Sequence, residues 1–568
     1  VATRTQDLDA ALRRHFGHRS FRPGQREAIE PLLEGRDVLL VMPTGAGKSL
    51  IYQLAAQLLP GVTLVVSPLL ALMKDQVDAV EERGMEVGVV DSTLTESQSE
   101  SQLHDVESGT TKLLYVTPER FDNAEFMEGM RGVDVSLFVV DEAHCISQWG
   151  HSFRPAYLGL AAARAALGSP TTLALTATAS PWVREEIVQR LEMRRPAVMS
   201  RGADRPNLFL EAVRVERESD DLKVLERMFA GEDLAGYGDD LARDLAGAME
   251  GSGIVYTATT RAARETAEWL QARGVEADYY HGQRRKSDRT RVQDAFLSGE
   301  LRVVVATNAF GMGVDKPDVR FVVHRDVPAS LEAYYQEAGR AGRDGGFARC
   351  TLIFRPGDIG RAAFLGAGGE LTADEAERAA RALRELRECT LTQLSEHSGV
   401  GRADVARLIA ILEGQGIARE RRGRVRLLRD DFDPAAIPLE EEEHRRSYER
   451  SRLEMMRGYA DTGECRRAFI LGYFAEELPG GHCTMCDNDT RGAAARERAA
   501  EAADAPANGT DAADGLTAGR RVRHEAWGEG TIHRMGDGAI TVLFESEGYK
   551  TLDIGLVRDR GLLTPVDD

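Results

Sequence analysis

Short β-branched runs, each followed by a turn and a helical pattern, recur along the N-terminal part of this chain. The first series is DVLLVMP from Asp37, TLVVSP from Thr63, KLLYVTP from Lys112, VSLFVVDEAH from Val135 and TLALTATA from Thr172. The second is GIVYTAT from Gly253, EADYYH from Glu276, LRVVVATNAFG from Leu301, RFVVHRDVP from Arg320 and ARCTLIF from Ala348. Continuous apolar runs that alternate with helices belong to parallel sheets covered on both faces, because a half-exposed strand would alternate with polar residues. The chain has 568 residues, more than one hydrophobic core can serve. Two α/β lobes are therefore expected, over residues 1–205 and 206–360. Between the two series, the acidic, Gly-rich stretch from Gly231 reads as a surface insertion.

Three strings carry the chemistry. MPTGAGKS follows a strand and precedes a helical pattern, the setting of a phosphate-binding loop. Thr44, Gly45 and Gly47 shape a turn whose backbone N–H groups face phosphate, and the helix N-terminus adds partial positive charge. Lys48 is expected at the β- and γ-phosphates of ATP and Ser49 at magnesium. VVDEAH places two adjacent carboxylates at the end of a buried strand, the edge where open α/β sheets bind ligands. Asp141 is expected to hold magnesium and Glu142 to orient or deprotonate the attacking water. QEAGRAGRDG brings Arg340 and Arg343, three apart and on one face if helical, within reach of a γ-phosphate as an arginine finger.

DEAH followed by CISQWGHSFRP, with VVSPLLALMKDQV, YVTPER, LTATA, ATNAFGMGVDKPDVRFVVH and YYQEAGRAGRDG, resembles the RecQ branch of superfamily 2 helicases over about Leu8–Gly357. The resemblance implies two RecA-like lobes, ATP in the cleft and DNA across the top, with 3′ to 5′ movement. FGHRSFRPGQ is similar to the family's nucleotide-base motif. It implies Gln25 at the adenine edge and Arg22 on the ring, with His18 where relatives often have an aromatic. Asp315 matches the residue that approaches the ribose.

The loop after DEAH carries Trp149, His151, Phe153 and Arg154. Its Gly and Pro keep it from forming a regular helix, and aromatics with Arg can stack on bases without reading sequence. It resembles the RecQ aromatic-rich loop, which implies coupling of DNA contact to ATP hydrolysis. Thr307, at the end of a second-lobe strand, is a further candidate for phosphate contact. DEAH also occurs in RNA helicases; CISQWGHSFRP favours DNA.

The pattern changes from Cys389. TLTQLSEHSG and RADVARLIAILEGQG read as helices, and IARERRGRVRLLR as a wing with a basic tip. A winged-helix-like domain is expected over 361–432, with a plain helical connector as the alternative. A helical zinc-binding segment over 433–490 holds Cys465 and a CxxC at Cys483 and Cys486. The CRR…YF…CxxCD frame is similar to the RecQ zinc module, whose fourth cysteine falls here on Asp489. Carboxylate oxygen is an acceptable zinc donor, and His482 competes for the position. Residues 491–518 read as an Ala-rich linker. Residues 519–568 read as a small β-barrel resembling the Tudor-like tail of UvrD/PcrA helicases, which implies docking to RNA polymerase or another protein through Trp527, Phe544 or Tyr549.

A net charge of −20 argues against a simple nucleic-acid coat but leaves room for a local basic track. The six cysteines make no disulfide framework, and no apolar run is long enough to cross a membrane. The first residues carry no signal-peptide core, so a cytoplasmic protein, nucleoid-associated if bacterial, is expected, and the resemblance implies work on single-stranded and duplex DNA in repair and recombination.

Overall fold

The computed structural model describes the chain apart from residues 1, 44, 69–72, 74, 75, 78, 79, 92–95, 148–153, 201–203, 312, 313, 315, 356, 358–370, 422, 438, 491–515, 517–519, 537, 545, 546, 567 and 568. The first lobe is a seven-stranded sheet of β1 (Val38–Val41), β2 (Val62–Val66), β3 (Val87–Val90), β4 (Leu113–Val116), β5 (Val135–Val140), β6 (Thr171–Thr176) and β7 (Ala197–Ser200), in the order β3-β4-β2-β5-β6-β1-β7. All its pairings are parallel. Leu40, Val65, Tyr115 and Val139 point into one apolar cluster, and their neighbours Leu39, Leu64, Leu114 and Phe138 into another. That period of two, apolar on both faces, is why the runs carry no polar alternation.

The second lobe has six parallel strands: β8 (Leu208–Arg214), β9 (Ser252–Tyr256), β10 (Ala277–Tyr280), β11 (Val303–Ala306), β12 (Val319–His324) and β13 (Ala348–Phe354), in the order β10-β11-β9-β12-β13-β8. The two apolar series supply β1, β2, β4, β5 and β6, then β9 to β13. The sequence reading did not find β3, β7 and β8. All three lie at or beside a sheet edge, where fewer apolar residues are needed. In β8 a glutamate interrupts the pattern.

That glutamate explains the stretch from Gly231. Glu211 and Arg349 are both 1% exposed, and Arg349 Nε donates to Glu211 Oε1 at 2.7 Å. Asp233 of the insertion accepts from Arg349 as well, and the Tyr237 hydroxyl donates to Glu211 Oε2 at 3.1 Å. An arginine so buried and left without its partners would cost about 3–5 kcal/mol. The helix Asp239–Glu250 then buries Leu245, Ala248 and Met249 on one face. The insertion is thus packed into the lobe rather than lying loose on its surface.

The chain groups into two compact units. The first comprises Val1–Arg355, Gly458–Gly519 and His533–Gly538, and holds both lobes and the cysteine segment. The second comprises Pro356–Arg457, Arg520–Ile532 and Ala539–Asp568.

In the second unit, helices Ala373–Leu386, Leu391–Ser398 and Arg402–Gly414 share a core with the antiparallel strands β14 (Glu388–Thr390), β15 (Ala418–Arg421) and β16 (Arg424–Leu427), ordered β14-β16-β15. Capping boxes at Thr372/Glu375 and Thr390/Gln393 start two of the helices. These three helices and the small sheet are one helix more than the two read from the sequence. The C-terminal strands Arg521–His524, Gly528–Gly536, Ala539–Phe544, Gly548–Asp553 and Thr564–Pro565 form a five-stranded sheet. Phe544 and Tyr549 are each 1% exposed and serve its core. Of the three aromatics expected to dock a partner, Trp527 alone is half-buried, stacked on His524 at 4.0 Å. Within the first unit, His533 stacks on Tyr473 at 5.5 Å and Arg534 pairs with Glu464. His533 and Arg534 therefore touch the cysteine segment inside that unit. No described helix is long and apolar enough to cross a membrane.

Candidate ATP site and metal cluster

After β1 the chain turns through Gly45 and Gly47, at φ 83° and 85°, into the helix Lys48–Leu58. Only glycine adopts such angles cheaply, and a side chain at Gly47 would also strike Gln25 Nε2 at 2.6 Å. Lys48 Nζ donates to the Met42 carbonyl at 2.9 Å. Burial pushes the ammonium below its ordinary pKa, with the Glu142 and Asp141 carboxylates opposing.

The base-motif residues hold this loop directly. Gln25 Nε2 donates to Gly47 O at 3.0 Å, Gln25 Oε1 accepts from Arg22 N at 2.8 Å, and Arg22 Nη1 donates to Gly45 O at 2.7 Å. Beside them opens a cavity of about 540 Å³, lined by Phe16, His18, Arg22, Gln25, Gly47 and Ser49 among others. A cavity of that size suits a nucleoside.

Asp141 and Glu142 leave β5 in different directions. Asp141 is half-buried near Lys48. Burial first, and then the Glu142 carboxylate, push its pKa up to about 6, against the pull of Lys48. Glu142 sits at φ 49°, a region that non-glycine residues enter at a cost. This turn carries its carboxylate to His144, with Oε2 at 3.3 Å from Nδ1, and the same Nδ1 lies 3.0 Å from Thr176 Oγ1 at the end of β6. The sequence reading quoted both DEAH and LTATA but gave His144 and Thr176 no role. Thr176 thus holds the His144 ring by a hydrogen bond, and that ring stands at ion-pair distance from the candidate base.

Arg340 and Arg343 do not share a helical face. Their helix, Leu331–Ala338, stops before them, and Gly342 and Gly345 take φ of 56° and 84°. The arginines therefore ride a glycine turn and diverge. Arg340 is 7% exposed and donates to Gly311 O. Arg343 donates from Nη1 to Val314 O at 2.9 Å. Its Cδ lies 3.5 Å from where a Cβ on Gly45 would stand, so it is the arginine that meets the phosphate loop. Arg154 Nη1 donates to Pro68 O at 2.8 Å, which ties its guanidinium to the backbone after β2. Thr307, 9% exposed, closes β11. Thr44, Trp149, His151, Phe153 and Asp315 lie outside the described residues.

The cysteine segment gathers a second site. One ligand atom each from Cys465, Cys483, Cys486 and Asp489 lies within 4.8 Å of the others. Three thiols and a carboxylate so placed fit a tetrahedral zinc. Asp489 Oδ2 accepts from Cys483 N at 2.5 Å, while Asp489 Oδ1 stands 3.3 Å from the exposed His482 Nδ1. His482 thus falls outside the cluster and supports Asp489 from behind. The knuckle is anchored on the edge of the second-lobe sheet: Leu210 N donates to Met485 O at 3.1 Å and Ala212 N to Asp487 Oδ2 at 3.2 Å. Elemental analysis should find about one zinc per chain. Asp489→Ala should lower that content more than His482→Ala, and the reverse ranking would move the fourth ligand to His482.

Family profiles match the chain in three stretches: DEAD/DEAH box helicase over residues 22–186, helicase conserved C-terminal domain over 239–345, and RecQ zinc-binding over 402–490. The chain is 42% identical over 356 residues to ATP-dependent DNA helicase RecQ of Bacillus subtilis, covering 62% of this chain and 57% of that one. It is 40% identical over 354 residues to probable ATP-dependent DNA helicase RecS of the same organism, covering 62% and 68%. To ATP-dependent DNA helicase Q5 of Rattus norvegicus it is 42% identical over 371 residues, covering 64% and 37%. The chain thus spans about half the length of most of these relatives.

Proposed function

Because the chain belongs to the RecQ family, we propose that it is an ATP-driven DNA helicase, moving 3′ to 5′ on single-stranded DNA and separating duplex ahead of it. The observation that carries this reading is the meeting of Lys48, Asp141, Glu142 and Arg343 at one phosphate loop. The first three come from the first lobe and the fourth from the second. A cleft built from both lobes makes ATP binding and loss a change in lobe spacing, which is what a motor needs.

In this reading Gly45, Gly47 and the N-terminus of the helix Lys48–Leu58 receive the phosphates, and the Lys48 ammonium moves from Met42 O to a phosphate oxygen. Ser49 and Asp141 would hold magnesium, which supplies charge neutralisation at the β- and γ-phosphates. Glu142, oriented by His144, takes the proton of the attacking water. Arg343 stabilises charge on the transferred group. Gln25 and Arg22 read the base. Trp149, His151 and Phe153 stack on DNA bases, supported by the make-up of the loop, and Thr307 contacts the DNA backbone. The family's relatives, named as DNA helicases, favour DNA over RNA as the track.

Strand separation on two substrates tests the direction. A duplex with a 3′ single-stranded tail should be unwound in the presence of ATP, and one with a 5′ tail should not. Preference for the 5′ tail would reverse the polarity proposed here.

A further inference from the structure

Outside the ATP site, one short loop of the cysteine segment touches both lobes. The helix Arg466–Tyr473 ends in Phe474, Ala475 and Glu476. Ala475 closes it at φ 56°, the left-handed position where glycine is usual, and this sets the direction in which Glu476 leaves. On the first-lobe side, Arg184 Nη2 donates to Phe474 O at 2.7 Å and Ser200 Oγ donates to Glu476 Oε1 at 2.8 Å. On the second-lobe side, the Phe474 ring lies 5.6 Å from the Tyr335 ring, and the Tyr473 hydroxyl donates to buried Glu332. Phe474 is 2% exposed, and together with Tyr335 it walls a small cavity whose other side is Met42 and Pro43, the entry to the phosphate loop.

The contacts continue inward to the candidate base. Arg184 Nε donates to Ala179 O at 3.0 Å. Three residues earlier in the same segment, Thr176 Oγ1 donates to Thr178 O at 3.0 Å and meets His144, which holds Glu142. A contiguous path of hydrogen bonds and short backbone therefore runs from the loop to the hydrolysis centre.

We propose that Phe474 and Glu476 form an interlobe clasp: they are positioning residues that hold the two lobes at the spacing where Arg343 meets the phosphate loop. Without these side chains, the buried Phe474 ring contacts and the Ser200–Glu476 hydrogen bond are lost, while the Arg184 bond to the Phe474 carbonyl remains. The lobes then sample wider separations, and ATP must supply the closure itself. The consequence for turnover rests on the helicase reading; the consequence for lobe spacing does not.

The test measures spacing first. The native cysteines are all buried, so spin labels can be placed at exposed Ala165→Cys in the first lobe and Ala272→Cys in the second. The nucleotide-free parent should give a narrow distance distribution. Phe474→Ala and Glu476→Ala should broaden it and shift its mean, whereas Glu476→Gln, which keeps the acceptor oxygen, should restore it. In ATPase assays Glu476→Ala should raise the KM for ATP roughly two- to ten-fold, the factor carried by one net hydrogen bond, with a smaller change in kcat. Parent-like distributions in both alanine variants, with zinc content and melting temperature retained, would overturn the clasp. The distance measurement needs no ATP turnover, so it decides the clasp even if the motor reading fails.

Discussion

Arg343→Ala is expected to lower ATP turnover by about 10³-fold, the lower end of what an arginine finger contributes. The geometry singles out this arginine. Its side chain lies against the Gly45 turn, and its Nη1 donates to Val314 O in its own lobe. It is therefore held in place before ATP arrives. Arg343→Lys should recover only part of the loss, because an ammonium keeps the charge but not the planar fork. Arg340→Ala should behave differently. That side chain is buried on the Gly311 carbonyl, so its loss leaves a buried acceptor unmatched and costs about 1–3 kcal/mol of stability. Its folded fraction should retain more turnover than Arg343→Ala. Steady-state ATPase assays with thermal melts on both variants separate the two roles. Equal turnover losses at equal stability would show that both arginines reach the phosphate.

Glu142→Gln should cut hydrolysis by about 10²–10⁴-fold, the range for loss of a general base, while ATP binding persists. The side chain keeps its size and can still meet His144, so the φ 49° turn should survive. What is lost is the capacity to take a proton. A fluorescent ATP analogue should bind this variant with parent-like affinity and dissociate without conversion. Parent-like hydrolysis by Glu142→Gln would remove Glu142 from the base position.

Much of the site can be read in the sequence because its residues are constrained locally. Gly45 and Gly47 stand at positive φ, and the carboxylates follow directly on a buried strand, so type and spacing reveal them. The arginine pair was misjudged because its placement depends on where a helix stops. Gly339 and Gly342 read equally well as tolerated helix residues or as the turn they form. The edge strands β3, β7 and β8 escape the sequence pattern for a related reason: β8 places Glu211 in the core, and Arg349, 138 residues away, together with Tyr237 makes that possible. Tertiary partners also explain the rest. Nothing near Asp489 in sequence ranks it above His482, whereas the fold buries one and exposes the other. The loop Phe474–Glu476 carries no motif, and its meaning lies in Arg184 and Ser200, brought from the other end of the unit.

In the function proposed above, this chain converts ATP hydrolysis into work on DNA. The most direct measurement compares its ATPase rate with single-stranded DNA, duplex DNA and single-stranded RNA at one salt concentration. Salt must be fixed because backbone binding depends steeply on it. Lys48→Ala, measured alongside, removes the phosphate contact and reports the background. Turnover should rise well above basal with single-stranded DNA, less with RNA, and not above background in Lys48→Ala. Equal or greater stimulation by RNA, or turnover indifferent to every nucleic acid, would contradict that function.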